Sequence, residues 1–504
     1  MKVHAFLSRC LRMLSFLIIG IVFVLNFLFI SGVSPNANET VTIELHANKS
    51  VLFLLIIAAT LFALSFLKHY LEKVKELHLF FGTSALYIIM GIYLICNVDN
   101  TLRADALSVY QAAENILSGS VTPFLRGGYI YQYPHQIGLM LYDAVLCTYF
   151  RSTSACFAAN LGFVIGINYL VYKITDLLFG DRFVNILSII LSFAFLPQFF
   201  FILFAYGNIP GLFFIMFAFY HTLRFCKNHR TADLVLMAAG ACAAVTLRKN
   251  YLIGVVAIVI YVCLELFRKA TVKRVIAMAA VVIGLLLPLK VLPQIFVDSA
   301  SGMPSVLWLA MGTDIDNNAC GPGWFDGTNI QIFFESGYDS EIAHMRGVEK
   351  VRQNIQKITN DPQSARDFFV RKTVSQWCDP LYQSIWTGPL ADLDQHTHTR
   401  LLTSLYTGNG AEKVLSNAMK IYMLGFFGLG MLFIALYHKR CSGWELFYLT
   451  LIGGFLFHTV WEAKSQYIYP YFFPLIPFVA FSVSNILTEI KSRNPLKTFI
   501  KKAK

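Results

Sequence analysis

From Met13 to Phe481 the chain alternates long apolar runs with short polar breaks. Uncharged or nearly uncharged runs of spanning length fall at about 13–32, 51–67, 79–97, 154–172, 184–204, 209–223, 232–247, 251–267, 275–293, 418–437, 443–460 and 468–488. A run of about 20 apolar residues is what a helix needs to cross a bilayer, so the pattern predicts an all-α polytopic membrane protein. The run from Phe183 to Leu223 carries no charge and is too long for one helix. AYGNIPG (205–211) divides it, because Gly and Pro favour a turn there. The first run, beginning at Met13, exceeds the roughly 7–15 residues of a signal-peptide core and is read as an uncleaved span.

The polar breaks set the orientation. Basic residues cluster at 2–12, at 68–75, at 224–230, at 268–274 (Arg268, Lys269, Lys273, Arg274), at 439–440 and in the C-terminal tail. The positive-inside rule places all of these in the cytoplasm. That assignment requires the apolar stretch 137–150 not to cross. It is short and contains Asp143, so it is expected to lie in the interface or against the bundle. About twelve crossings with both ends inside follow. Residues 1–97 then hold three spans, 98–153 a first external loop with juxtamembrane helices, and 154–293 a transmembrane bundle. Residues 294–416 form an external segment of soluble composition, expected to be a small α-rich cap. Residues 417–490 hold three more spans and 491–504 a basic cytoplasmic tail.

Composition agrees. Hydrophobic residues are 56% of the 504 and charged residues 14%, against about a quarter charged in soluble proteins. The net charge of +12 is spread over short loops, which marks topology and argues against a nucleic-acid partner. The ten cysteines form no CxxC and no cluster with zinc-ligand spacing. Cys320 and Cys378 lie in the long polar segment, as a disulfide or as two free thiols.

Candidate chemistry concentrates in the first external loop. Asp99 and Asp105 follow directly after a span, where a carboxylate is placed to act as a general base. Either is equally readable as a solvated loop residue, or Asp105 as the start of a helix over 106–117. Arg103 and Arg126 flank the segment with charge that suits an anionic partner. GGYIYQYPHQIG (127–138) closes the loop: Gly127 and Gly128 permit a turn and Pro134 starts a helix. Tyr129, Tyr131 and Tyr133 are expected mainly as interface anchors, with Tyr133 also a candidate ring for sugar stacking. His135 and Gln136 are candidate sugar or acceptor ligands, since an aromatic belt needs neither.

An acidic residue just past an early span, an amphipathic external loop and YPHQ-G entering a juxtamembrane helix resemble the GT-C membrane glycosyltransferases. The likeness is greatest to bacterial members related to family 39, the protein O-mannosyltransferase and aminoarabinose transferase type. GWFDGTN, RKTVSQWCDPLYQSIWTGPL and WEAKSQYIYPY also look like stretches of the Gram-positive branch. The resemblance runs from about residue 98 to 480 and implies a GT-C type fold. It further implies a sugar donor carried on polyprenyl phosphate, used on the extracytoplasmic face of the cell membrane. A carboxylate of the first external loop would deprotonate the acceptor hydroxyl, which attacks the anomeric carbon with inversion. Asp105, in RADAL, matches the family position best, and Asp99 is the second candidate. The second acidic site of some relatives has no counterpart, since AYGNIPG offers only Asn208. No metal and no cofactor are therefore expected, because Arg and Lys alone can hold a phosphate monoester.

For that phosphate the candidates are Arg248 and Lys249, which the topology places externally against the positive-inside rule. The competing reading is that they reach lipid phosphates or mark a topological error. Lys464 is a second external cation, with Glu462 as its candidate salt-bridge partner. Trp324, Asp326, Asn329, Trp377 and Asp379 are further candidates for the sugar or acceptor. The expected partners are membrane lipid, the lipid-linked donor and a glycan or protein acceptor. Two alternatives stand beside this reading. One is a polysaccharide polymerase or ligase using a diphosphate-linked glycan. The other is a lipid-linked sugar transporter or flippase, against which the nearly charge-free spans and absent repeats argue.

Overall fold

The computed structural model describes residues 2–268, 271–298 and 301–493. Lys269 and the tail beyond residue 493 lie outside the described residues. Among the described residues, nine helices are long and apolar enough to cross a membrane: Val3–Leu28, Ala47–Leu71, Glu76–Cys96, Thr153–Phe179, Asn208–Asn228, Lys249–Arg268, Val272–Phe296, Gly410–Arg440 and Ser465–Lys491. Arg182–Ala194 and Leu196–Leu203 form one further apolar unit bent by 53°, and Thr231–Leu247 and Trp444–Val460 are shorter apolar helices. The chain has the helix set of a multi-pass membrane protein.

The bend has a local cause. Pro197 has no N–H, so the carbonyl of Phe193 loses its helical partner. The buried Tyr87 hydroxyl donates to that carbonyl instead. The predicted turn in AYGNIPG is present, with Gly207 at φ 77° just before the helix Asn208–Asn228.

Two expectations are corrected. The first helix stops at Leu28, and Phe29–Val33 (β1) pairs antiparallel with Val41–Leu45 (β2), the one sheet among the described residues. Its edges are occupied: the Ser31 amide donates to the Cys378 carbonyl at 3.2 Å and the Val41 amide to the Cys320 carbonyl at 2.8 Å. Cys320 and Cys378 thus flank the hairpin on opposite sides, and both are free thiols. Second, the helix expected to begin near 418 starts at Gly410, inside the stretch assigned to the external segment.

The basic loops gather at one end of the bundle. Arg12 meets His438 at 3.4 Å, Lys68 donates to Thr488 at 2.6 Å, and Arg182 donates to the Val74 carbonyl at 2.7 Å. The hairpin, the 97–152 loop and the 297–409 segment occupy the other end. That segment is α-rich, with helices Val306–Thr313, Thr328–Glu335, Ser340–Asn360, Pro362–Trp377 and Arg400–Tyr406. Asp339 and Asp361 cap two of them by accepting from the backbone N–H groups of Ile342 and Ser364, each at 3.0 Å.

The helix Ile137–Phe150 begins and ends at this second end. Gln136, before it, bonds Tyr206 at 2.6 Å, while Thr153, after it, donates to the Asn100 carbonyl. Its 14 residues reach only about 21 Å at 1.5 Å per residue. Asp143 is buried toward Cys156 rather than turned to lipid. A Cβ at Gly138 would strike the Thr246 backbone, so glycine is what lets this helix lie against Thr231–Leu247.

Candidate active site

A cavity of about 1420 Å³ lies between the bundle and the α-rich segment that ends at residue 409. Segments distant in sequence converge on it: the β1–β2 turn, the 99–106 and 133–136 stretches, Tyr206, Arg248 and Lys249, the 319–330 loop, Trp386 and the 461–467 stretch. Asp99, Asp105, Tyr133, His135, Gln136, Arg248, Lys249, Asp326 and Lys464 all line it. Trp324 and Asp379 do not.

Asp105 sits in the first turn of the helix Ala104–Leu117 and is exposed to the cavity. The preceding Ala104 has φ 48°, a left-handed conformation that alanine rarely adopts. The Tyr206 hydroxyl donates to Asp105 Oδ2 at 3.1 Å, and Gln136 Nε2 donates to the same hydroxyl at 2.6 Å. Gln136, Tyr206 and Asp105 therefore form one directed chain, which presents an oriented carboxylate. Arg248 lies on the other side of Tyr206. Its guanidinium stacks on that ring at 4.4 Å and donates to the Tyr206 carbonyl at 2.8 Å. Among the described residues neither Arg248 nor Lys249 forms an ion pair, so both positive charges remain available to an anion. One tyrosine ring separates the carboxylate from the cation.

Asp99 does different work. Its amide donates to the His396 carbonyl at 3.0 Å and its Oδ2 accepts the His396 amide at 2.7 Å. His398 approaches its other oxygen at 3.3 Å. Asp99 clasps the 396–398 loop beside the isolated bridge between Val98 and Thr397.

Lys464 pairs with Glu39, at 2.7 and 2.9 Å, and not with Glu462. Glu39 stands at the β1–β2 turn with φ 53° and also accepts from Gln383 at 2.7 Å. Burial opposes charge on Lys464, but Glu39 and Glu462 override it and hold the ammonium above its ordinary range. Glu462 is 5% exposed and faces the cavity without a hydrogen bond or ion pair among the described residues. Burial raises its carboxyl to about 7; the charges of Glu39 and Asp105 add to this, while Lys464 and Arg248 oppose it.

His135 is half-buried, edge-on to Tyr133 and to Trp308. Burial, then Lys249 and Arg248, lower it to about 3, so the ring is neutral. Arg103 stacks on Trp386 at 4.1 Å and donates to its carbonyl. Burial lowers it to about 10 against the pull of Glu39.

Three other expectations change. Trp324 is wholly buried, its indole donating to Ser375 at 2.8 Å. With Gly323 at φ 69°, the loop turns Trp324 into the core and leaves Phe325 and Asp326 at the cavity. Asp379 is buried and accepts from Leu381, Gln383 and Ser465 at 2.9, 2.9 and 2.6 Å. It braces the turn that carries Gln383 to Glu39. Tyr131 is no interface anchor: it packs with Met303, Leu307 and Phe333 of the α-rich segment.

Sequence reasoning missed Tyr206, Glu39, Trp308 and Trp461. Tyr206 was within view in AYGNIPG, beside the Asn208 that was considered; Asn208 itself is buried. Glu39 carried no signal, because its partner lies 425 positions away. Among the described residues no cluster of His, Cys, Asp and Glu has metal-binding geometry.

Below these polar groups the cavity continues as an apolar groove. Ile253, Val256, Ala257 and Ile260 form one face of the helix Leu252–Arg268, and Leu449, Ile452, Gly453 and Leu456 the matching face of Trp444–Val460. Both sets repeat at helical spacing. Val256, Ile260 and Leu456 are 48%, 40% and 54% exposed, so the groove is open along its side. The site thus combines an oriented carboxylate, unpaired cations, aromatic walls and an apolar channel. No protein-family model and no curated protein sequence matches this chain.

Proposed function

We propose that the protein is a GT-C type membrane glycosyltransferase. In this reading it moves a sugar from a polyprenyl phosphate to a hydroxyl of a cell-envelope glycan or protein, on the extracytoplasmic face of the cell membrane. The observation that carries it is the convergence of Asp105 and Arg248 on either side of Tyr206, at the mouth of an open apolar groove. The nine long helices, the bent pair and the two shorter helices then make twelve passes. The basic end faces the cytoplasm, following the positive-inside rule.

The isoprenoid chain lies in the groove between Leu252–Arg268 and Trp444–Val460, and its phosphate reaches Arg248 and Lys249. Charge-assisted hydrogen bonds from a guanidinium suit a phosphate, and they strengthen as the leaving group gains charge. Asp105 takes the proton from the acceptor hydroxyl. The acceptor oxygen forms a bond to the anomeric carbon, while the bond from that carbon to the phosphate oxygen breaks. Polyprenyl phosphate departs as the monoester, the proton stays on Asp105, and attack opposite the leaving group inverts the anomeric centre. Gln136 and Tyr206 hold Asp105 in place; Lys464 stays with Glu39 and helps fix the cavity wall.

The test is transfer by the purified chain in lipid nanodiscs, with polyprenyl-phosphate sugars as donors. Asp105→Asn should lower kcat by about 10²–10⁴-fold, the usual weight of a general base. Asp99→Asn should stay within a few-fold of wild type, because the amide oxygen can still accept the His396 N–H. Transfer only from diphosphate-linked glycans, or full activity of Asp105→Asn, overturns the assignment.

A further inference from the structure

Glu462 is a polar group of the cavity that the proposed mechanism leaves unused. Its side chain is nine-tenths buried and opens onto the cavity, yet it has no partner among the described residues. The adjacent Lys464 is committed to Glu39 through two contacts. Its carboxyl oxygens are not enclosed by protein but open to the cavity, where they can engage a molecule held there. A carboxyl can engage two neighbouring hydroxyls at once.

Its surroundings suit a sugar ring. Trp461 precedes it and stacks on Trp308, with ring centres 6.1 Å apart and planes 4° from parallel. Phe457 backs Trp461 at 4.8 Å, and His135 stands edge-on to Trp308 at 6.4 Å. Both tryptophans line the cavity. Fixed aromatic planes beside an unpartnered carboxyl offer one surface for the C–H face of a pyranose or furanose and one for its hydroxyls. The local charge also selects. Glu462 and Glu39 repel an anionic ring substituent, and the charge of Lys464 is offset by its pairing with Glu39.

We propose that Glu462, with Trp308 and Trp461, forms the subsite for the sugar ring of the donor, and that this ring carries no anionic substituent and presents hydroxyl groups to Glu462. The inference rests on the glycosyl-transfer reading and adds the substrate class. It divides the cavity into three parts: lipid phosphate at Arg248 and Lys249, acceptor at Asp105, sugar at Glu462.

The experiment uses the full chain in nanodiscs with polyprenyl-phosphate glucose, galactose, mannose, arabinose, glucuronic acid and an aminodeoxy sugar. Wild type should transfer one or more of the neutral or amino rings in preference to glucuronic acid. Glu462→Ala should lower kcat/KM for that donor by about 30-fold, the worth of hydrogen bonds to a charged group. Glu462→Gln, which keeps an acceptor for a hydroxyl, should stay within a few-fold. Binding of sugar-free polyprenyl phosphate should be unchanged in both variants and weakened in Arg248→Ala. Among single-position deoxy donors, one should lose as much with wild type as Glu462→Ala loses with the parent donor. That donor should lose nothing further in the variant. Unchanged kcat/KM in Glu462→Ala, or preference of wild type for glucuronic acid, overturns this inference while the transfer reading stands. If Glu462→Ala does not fold, the deoxy series on wild type decides alone: no position costing more than two- to threefold overturns it. No transfer by wild type from any polyprenyl-phosphate sugar overturns both.

Discussion

Tyr206 does two jobs with one side chain. Its ring is the platform under Arg248, and its hydroxyl passes a hydrogen bond from Gln136 to Asp105. Tyr206→Phe keeps the platform and removes the bond. The expected outcome is a fall in kcat of about 10-fold or more with the donor KM unchanged, since a hydrogen bond to a charged group is worth about 1.5–3 kcal/mol. Steady-state transfer kinetics read the split directly. Glu462 has a consequence for stability as well. Its carboxyl rises from an ordinary 4.5 to about 7, chiefly through burial. The folded chain therefore holds this proton more tightly than the unfolded one. The stability it contributes is fully present below about pH 4.5 and is lost as pH rises through about 7. The shift corresponds to a loss of the order of 3 kcal/mol across that window, at about 1.4 kcal/mol per pH unit. Glu462→Gln removes the dependence. Melting temperatures of the two chains should lie close at pH 4.5, with the variant pulling ahead by pH 8.

Among the elements, the bent pair Arg182–Ala194 and Leu196–Leu203 positions Tyr206, since the 205–207 turn follows it directly. Pro197 breaks the helix, and Tyr87 takes up the carbonyl it leaves free. Tyr87→Phe strands that carbonyl in a buried place, at a cost of about 1–3 kcal/mol. The variant should melt lower and, because the bend leads to Tyr206, also transfer more slowly; thermal unfolding in detergent and the nanodisc assay measure the two effects. The Gly-Pro turn at 207–210 was legible in the sequence, because it acts on its own backbone; the bend at Pro197 was not, since 184–204 reads as one apolar run. Nor was the hairpin. FISGV reads as a continuation of the apolar run before it, and its strand conformation depends on pairing with Val41–Leu45 and on the Cys378 and Cys320 carbonyls.

For the whole molecule, the proposed twelve passes with both ends in the cytoplasm predict a sharp labelling pattern. In a cysteine-free variant, Cys placed at Ser118 or Glu341 should react with a membrane-impermeant maleimide on intact cells. Cys placed at Lys75 or Lys227 should react only after permeabilisation. All four positions are exposed, so burial does not confuse the readout. Labelling of Ser118→Cys and Lys227→Cys from the same side would overturn the topology and, with it, the external placement of Arg248. The arrangement also explains why the helix Ile137–Phe150 matters. With both ends at the cavity end of the bundle, it carries Gln136 to Tyr206 rather than across the membrane.

The sequence by itself determined the membrane class, the grouping of the basic loops and the break at 205–211. Among the residues it singled out, Asp105, His135, Gln136, Arg248, Lys249, Asp326 and Lys464 all line one cavity. These features follow from hydropathy, loop charge and the backbone limits of Gly and Pro, which act along the chain. Tertiary structure alone decided the roles within the cavity. It gave Lys464 to Glu39, left Glu462 without a partner, made Asp99 a clasp, and turned Trp324 inward and Asp326 outward. Each of these depends on which side chains meet across separations such as the 425 positions between Glu39 and Lys464 or the 101 between Asp105 and Tyr206. No local pattern encodes such a meeting, because the energy of a buried charge is set by its packed surroundings.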